Sequence, residues 1–249
     1  IEKEANNRSV SKLNFIDLFS GAGGIGIGYE QAGYEHVLSA DFDTGVAKTF
    51  RHNNKNVPFI EGDLSDKSIF ENVKNVVGKK EIDIIVGGPP CQGFSMFGKR
   101  RFVKSQSHNP HDDIRNDLIF TYLKYVEEFN PKWFMMENVA GLVNLADGYF
   151  LENFIEKVKE LGYNNYDYKI INTADYGVPQ KRKRFIFLAN RTGNIIPWPK
   201  PKFYAKPEDW EKPYRSINQV ITGLETNKSQ TKFKNHKPMN HSSEVVERF

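Results

Sequence analysis

Cys91 is the sole cysteine among 249 residues and stands in Gly87-Gly88-Pro89-Pro90-Cys91-Gln92-Gly93-Phe94-Ser95. A single cysteine closes no internal disulfide and no multi-cysteine metal site, which leaves a buried apolar filler or a nucleophile. Its setting favours the nucleophile. The run Ile82-Asp83-Ile84-Ile85-Val86 reads as a buried parallel strand that two glycines and two prolines end abruptly. The sulfur is thus expected where the chain leaves the carboxyl end of a strand, the place where open α/β sheets build their sites. Two further groups have chemical capacity. Glu137 closes Phe134-Met135-Met136-Glu137-Asn138-Val139, and the cationic stretch Gln180-Lys181-Arg182-Lys183-Arg184 precedes another apolar run. Taken singly, the first reads as a carboxylate capping the next turn and the second as a solvated basic turn.

A fourth feature binds rather than reacts. In Phe15-Ile16-Asp17-Leu18-Phe19-Ser20-Gly21-Ala22-Gly23-Gly24-Ile25-Gly26 an apolar strand runs into a glycine turn that opens a helix, and Gly21, Gly23 and Gly26 satisfy G-x-G-x-x-G. Glycines let the backbone approach a ligand closely, and Asp41, at the end of the next strand, is spaced to accept both hydroxyls of a ribose. The pattern suits a nicotinamide dinucleotide as well as S-adenosylmethionine. Phe42 is placed to stack on an adenine. Asp63, in Gly62-Asp63-Leu64 after the third strand, can accept from an adenine amino group or cap the following helix.

The elements that must position these groups alternate in βαβ fashion. Strands are expected over 13–19, 36–40, 58–60, 82–86, 132–136, 168–171 and 184–189. Helices are expected over 24–32, 44–52, 67–77, 118–129 and 149–161. Residues 1–11 read as a frayed polar tail. The polar stretch 93–116, with Lys99, Arg100, Arg101 and Lys104, is long enough for a functional loop. Its His108, His111, Asp112 and Asp113 read as solvated loop residues rather than metal ligands. After Asn190 the prolines at 197, 199, 201, 207 and 213 space out aromatics and lysines, and periodicity disappears. This reads as an extended arm, either a solvated connector or a basic-aromatic strip against a nucleic-acid backbone.

The length fits one sizeable domain with a small appendage. Thirty-five Lys and Arg against 31 Asp and Glu give a formal net charge of +4, a mild tilt towards polyanionic partners. No apolar stretch approaches the ~20 residues that span a bilayer, and no secretory-leader pattern opens the chain. The lack of disulfide capacity fits a reducing cytosol. The first residue is Ile1, so the sequence reads as a piece of something longer.

Four of these motifs occur together and in order: Asp17-Leu18-Phe19-Ser20-Gly21-Ala22-Gly23-Gly24, Gly87-Gly88-Pro89-Pro90-Cys91-Gln92-Gly93-Phe94-Ser95, Glu137-Asn138-Val139, and Asp175-Tyr176-Gly177-Val178-Pro179-Gln180-Lys181-Arg182-Lys183-Arg184. In this the chain resembles the C5-cytosine DNA methyltransferases, over about residues 13–190. The resemblance implies an α/β, Rossmann-like methyltransferase fold, with a mostly parallel seven-stranded sheet whose last strand is antiparallel. It implies S-adenosylmethionine as methyl donor, S-adenosylhomocysteine as product, and no metal. The implied cofactor contacts are Asp17, Phe19, Ser20, Gly21, Ala22, Gly23, Gly24, Asp41, Phe42, Asp63, Leu64, Pro89 and Leu118.

The implied chemistry needs these residue types. Cytosine C5 is a poor nucleophile until a thiolate adds to C6, and the resemblance gives that thiolate to Cys91. An ordinary thiol, with pKa ~8.5, is only slightly ionised at neutral pH, so a positive environment or a concerted proton transfer has to help. Glu137 is expected to hold the N3 and N4 edge of the base and, to donate to N3, must carry a proton. Arg184 is expected at cytosine O2, with Arg182 counted beside it in the catalytic group. Lys181 and Arg182 are also candidates for backbone phosphates. The target base must leave the duplex stack, so the 93–116 loop is expected to close over DNA, with Gln92, Ser95, Arg100 and Arg101 as contacts.

Residues 191–249 are expected to lead towards a target-recognition domain and closing motifs that this sequence lacks. The expected partners are therefore duplex DNA, a recognition half or separate recognition subunit, and a cognate restriction endonuclease, in a cytoplasmic, nucleoid-associated bacterial setting without membrane attachment. Methylation of cytosine in tRNA and a non-catalytic DNA-binding relative are the alternatives, and a nicotinamide-dependent dehydrogenase rests on the glycine pattern alone.

Overall fold

The structure, a computed structural model, describes residues 12–90 and 117–222. Cys91, Gln92, Ser95, Arg100 and Arg101, with the rest of the expected 93–116 loop, lie outside the described residues, as do the 1–11 tail and positions 223–249. Two compact units emerge: Ile1–Ile171 with Lys183–Pro199, and Asn172–Arg182 with Lys200–Phe249.

The first unit runs β1 (Asn14–Leu18), α1 (Gly24–Gln31), β2 (Glu35–Asp41), α2 (Thr44–Asn53), β3 (Phe59–Glu61), α3 (Lys67–Val77), β4 (Ile84–Gly87), α4 (Asp117–Phe129), β5 (Trp133–Val139), a 3-10 stretch (Ala140–Gly148), α5 (Tyr149–Glu160), β6 (Asn165–Asn172) and β7 (Lys183–Asn190). The strands form a seven-stranded sheet in the order β3-β2-β1-β4-β5-β7-β6. All pairings from β3 across to β5 are parallel, and β7 runs antiparallel to β5. This is the mostly parallel sheet with an antiparallel strand that the family resemblance implies.

Strand parity explains what each element buries. Ile16, Leu18, Ile85, Phe134, Met136, Phe185 and Phe187 share one core with Val73 of α3, Tyr122, Tyr125 and Val126 of α4, and Phe154 of α5. Phe15, Ile84 and Val86 point the other way and pack with Ile25 and Tyr29 of α1, Trp133 and Met135. Asp17 shares Phe15's parity, so its carboxylate is directed at α1 and not at solvent. In β5 the residues Phe134, Met136 and Asn138 are buried while Trp133, Met135, Glu137 and Val139 are partly open. Glu137 therefore stands on the more accessible side of a central strand.

Register places the site. Leu18 pairs with both Ala40 and Gly87, Asp41 with Glu61, and Gly87 with Met136. The carboxyl ends of β1, β2 and β4 thus finish within a residue of one another, and β5 runs on beyond them to Val139. Strand order reverses between β1 and β4, which makes this edge the topological switch point where doubly wound sheets bind ligands. Gly87 is required there: a Cβ on it would stand 2.5 Å from the carbonyl oxygen of Leu18 and 2.9 Å from the ring of Tyr122. The Tyr122 hydroxyl lies 3.0 Å from the carbonyl of Ile85 and 2.9 Å from that of Met135, so α4 is tied to both strands.

The second unit contains a 3-10 turn (Thr173–Tyr176), a two-residue parallel pairing of β8 (Phe203–Tyr204) with β9 (Lys212–Pro213), and α6 (Asn218–Ile221). The arm after residue 200 thus carries short regular elements where sequence periodicity shows none. Among the described residues, no helix is long and apolar enough to cross a membrane.

Candidate active site

A cleft of about 270 Å³ opens at these strand ends, lined by Phe19, Asp41, Phe42, Gly62, Asp63, Leu64, Gly88, Pro90 and Leu118. Six of these residues are expected cofactor contacts from the sequence. The glycine turn shapes the wall beside them. Gly23, the N-cap of α1, has φ +92°, a conformation costly for any residue with a Cβ. Phe19 itself sits at φ +54°. A left-handed aromatic residue costs roughly 1–2 kcal/mol, and strain of this kind persists where a site requires a particular side-chain direction. Phe42 is 62% exposed, an unshielded ring on the cleft wall.

Asp41 is fixed by the backbone around it. Its Oδ2 accepts from the Gly21 amide at 2.8 Å and its Oδ1 from the Asp43 amide at 3.0 Å. The Ser20 amide donates to the carbonyl of Ala40 at 3.1 Å, so the turn after β1 is stitched to the end of β2. Asp63 accepts from the amide and the hydroxyl of Ser65 through Oδ1, at 2.8 and 2.7 Å. Its local role is thus a turn two residues long, and the N-cap of α3 is Asp66.

Asp17 lies behind the turn and does not line the cleft. It is fully buried, its Oδ2 accepts from the Gly26 amide at 3.1 Å, and its Oδ1 has no hydrogen-bond partner among the described residues. Burial pushes this carboxyl up to about 8, the Gly26 bond pulls against that, and the charge of Asp41 adds to the rise. Ser20, Gly21, Ala22, Gly23 and Gly24 shape the turn without lining the cleft, and Pro89 is buried, whereas its neighbours Gly88 and Pro90 face the cavity.

Beside the cleft, Glu137 and Arg184 form an ion pair, with Nε of Arg184 2.7 Å from Oε1 of Glu137. The antiparallel ladder explains it. Glu137 is opposite Ile186 and Val139 is opposite Arg184, so the two side chains are diagonal neighbours on the more open face of the sheet. Arg184 also donates from Nη1 to the carbonyl of Lys183 at 2.9 Å. A Cβ built on Gly88 would lie 3.2 Å from Oε2 of Glu137. The carboxylate therefore abuts the backbone that lines the cleft and leads, three residues on, to Cys91.

One residue was not singled out by type and spacing. Asn138 is buried on the opposite parity to Glu137, and its Nδ2 donates to the carbonyl of Pro89 at 3.1 Å while its Oδ1 accepts from the Val139 amide at 2.8 Å. It ties the Gly-Gly-Pro-Pro segment to β5. The signal available in the sequence was a polar amide at an inward position of an otherwise apolar strand. Arg182 and Lys181 belong to the second unit and are exposed; the Arg182 carbonyl accepts from the Thr173 amide at 3.0 Å.

The family model for C-5 cytosine-specific DNA methylases matches residues 13–249. The chain belongs to that family. Type II methyltransferase M1.HphI of Haemophilus parahaemolyticus is 34% identical over 240 residues, 95% of this chain and 60% of that protein. Type II methyltransferase M.AquIA of Picosynechococcus sp. is 35% identical over 84% of this chain and 88% of its own length. Among solved structures, a prophage-encoded Escherichia coli protein described as a DNA modification methyltransferase superposes with TM-score 0.57 at 29% identity, covering 72% of this chain and 47% of that one. Spodoptera frugiperda DNMT2, at 23% identity and TM-score 0.55 over 81% of this chain and 57% of its own, shares the fold. The chain thus spans from under half to most of the length of its relatives. Family membership displaces the nicotinamide reading that the glycine turn alone leaves open.

Proposed function

We propose that the protein is a DNA (cytosine-5)-methyltransferase subunit or fragment that carries the cofactor cleft and the catalytic groups. The observation that supports this most is the junction at Gly88: its backbone lines the cleft, abuts Glu137 and continues to Cys91. A methyl donor and a cytosine ring must meet at such a point. The cleft fits S-adenosylmethionine in kind, with an exposed aromatic for a purine, a backbone-anchored carboxylate for ribose hydroxyls and an apolar wall of Phe19, Leu64 and Leu118. S-adenosylmethionine, when bound, supplies an electrophilic methyl group.

The chain's own residues do the rest. Asp41 takes the ribose, Phe19 and Phe42 the adenine faces, and Asp63 the adenine amino group. The Cys91 thiolate adds to C6 of a flipped-out cytosine, and electron density moves to C5, which becomes the methyl acceptor. After transfer leaves S-adenosylhomocysteine, loss of the C5 proton to water, elimination of the Cys91 thiolate and return of the N3 proton to Glu137 restore the aromatic ring and the free enzyme. Glu137, protonated on meeting the base, donates to N3 as sulfur adds, and Arg184 then stabilises charge at O2. Before substrate arrives the 2.7 Å ion pair keeps both groups together beside the cleft; the incoming base takes the place of each partner, with Glu137 drawing its proton from solvent.

Gln92, Ser95, Arg100, Arg101 and Lys181 are the proposed DNA contacts, with Arg182 shared between the base and the backbone. Further partners on this reading are a recognition portion, in the same or another polypeptide, and a restriction endonuclease of matching site, in the bacterial cytoplasm close to the nucleoid. The test is transfer of labelled methyl from S-adenosylmethionine by the complete enzyme, offered duplex DNA and tRNA in parallel. Label recovered as 5-methylcytosine in DNA supports the proposal. Label confined to tRNA, or no transfer by a preparation that binds S-adenosylhomocysteine, contradicts it.

A further inference from the structure

The second unit holds a polar clasp whose use the proposed chemistry leaves unexplained. The Tyr214 hydroxyl donates to Oδ1 of Asp175 at 2.5 Å, and Nδ2 of Asn172 reaches the same Oδ1 at 3.0 Å and the Tyr214 oxygen at 3.2 Å. The phenol thus donates to one partner and accepts from the other, which a phenylalanine cannot do. The bond to Asp175 also pushes the Tyr214 phenol up, so the donor stays protonated at neutral pH. Asn172 is committed through Nδ2, while its buried Oδ1 has no partner among the described residues.

These three residues anchor one turn to one strand. Asn172 precedes, and Asp175 lies within, the segment that ends at Arg182. That segment is closed on itself by Thr173, whose amide donates to the Arg182 carbonyl at 3.0 Å and whose hydroxyl donates to the Gln180 carbonyl at 2.7 Å. Tyr214 follows β9, and its amide donates to the carbonyl of Tyr204 in β8 at 3.1 Å. The Lys202 amide adds a bond to the carbonyl of Asp175 at 2.9 Å. On the outside of this closed turn are the exposed side chains of Lys181 and Arg182, and Nζ of Lys181 stands 5.9 Å from the centroid of the Tyr214 ring.

We propose that Tyr214 is a positioning residue for DNA engagement: through Asp175 and Asn172 it clasps the 173–182 turn and fixes where Lys181 and Arg182 meet the nucleic-acid backbone. The inference rests on the proposed DNA substrate. It gives the arm after residue 200 a task that composition does not disclose, that of holding a cationic turn rigid. Two long basic side chains on a free turn would lose more entropy on binding than the same pair on a clasped one.

The test is a double-mutant cycle on duplex binding by the full-length protein, read by anisotropy of a labelled duplex across a salt series. Tyr214→Phe keeps the ring under Lys181 and removes the bond to Asp175. Affinity near 0.1 M salt is expected to fall about fivefold, with a salt slope shallower by about one contact. In a Lys181→Ala/Arg182→Ala background the same change is expected to cost nothing further, and S-adenosylhomocysteine affinity to be the same in all four proteins. An equal loss in both backgrounds, or no loss in the parent, overturns the proposal. A parent that binds duplex but does not methylate cytosine refutes the proposed function, while the cycle still reads the clasp. A parent that does not bind duplex contradicts both.

Discussion

Replacing Asp17 by Asn should make the protein increasingly stable relative to the parent as pH rises, because the native carboxyl is held protonated well above its ordinary range and the parent alone loses stability. Asp17 is fully buried, one oxygen is occupied by the Gly26 amide, and the other has no partner among the described residues. Burial is the main cause of its rise from 3.8 to about 8. The folded state therefore binds a proton that the unfolded chain releases between about pH 4 and pH 8. Stability from this group is fully present below about pH 4, is lost progressively as pH rises towards 8, and changes no further above that. Each pH unit in the window is worth about 1.4 kcal/mol, so from pH 5 to pH 8 the parent loses about 4 kcal/mol that an uncharged amide does not. Asn keeps an acceptor for Gly26 but places an amide donor where no acceptor waits, a roughly constant cost of about 1–3 kcal/mol. Urea unfolding of parent and Asp17→Asn at pH 5 and pH 8 reads the difference directly. The expected result is a variant near parity with the parent at pH 5 and more stable by about 2 kcal/mol or more at pH 8. A stability difference that is the same at both pH values would show that Asp17 does not carry this proton, and the account of the buried carboxylate behind the glycine turn would fail.

Three further substitutions separate binding from chemistry. Phe42→Ala removes an exposed ring from the cleft wall; calorimetry should show S-adenosylhomocysteine binding about tenfold weaker, from ~1–1.5 kcal/mol of stacking, with the melting temperature unchanged. Arg184→Lys loses the Nε that meets Glu137; labelled methyl transfer should fall about 100-fold in kcat while S-adenosylhomocysteine affinity holds. Asn138→Ala strands the buried carbonyl of Pro89; thermal unfolding should show a loss of about 1–3 kcal/mol, and kcat should drop more than cofactor affinity.

The sheet was readable because parallel strands buried on both faces leave continuous apolar runs, as in Ile84-Ile85-Val86 beside β1. Strand ends were less so. The expected fifth strand stops at residue 136, yet β5 continues to Val139, because its partner β7 supplies a ladder as far as Arg184. Those three residues matter: they put Glu137 within the strand, in diagonal register with Arg184. The motif order made Glu137 and Arg184 catalytic candidates, but only the ladder made them neighbours. Asn138 escaped notice because its task, holding Pro89, spans 49 residues of sequence. The expected connector after Asn190 has two-residue strands, too short for periodicity, and these are held by a tyrosine bond across 39 residues. Pro89 and Pro90 were indistinguishable by type, and only the tie to Asn138 turns one inward and leaves the other on the cleft.

The central claim is that the chain attacks cytosine through Cys91, and trapping measures that bond. A duplex carrying 5-fluorocytosine blocks proton loss from C5, so an adduct formed at C6 cannot resolve. The complete enzyme with S-adenosylmethionine should give a denaturation-resistant protein–DNA complex, and Cys91→Ser should give none while binding S-adenosylhomocysteine as tightly as the parent. A Cys91→Ser protein that traps the duplex as well as the parent, or a parent that methylates cytosine yet is never trapped, would contradict the account.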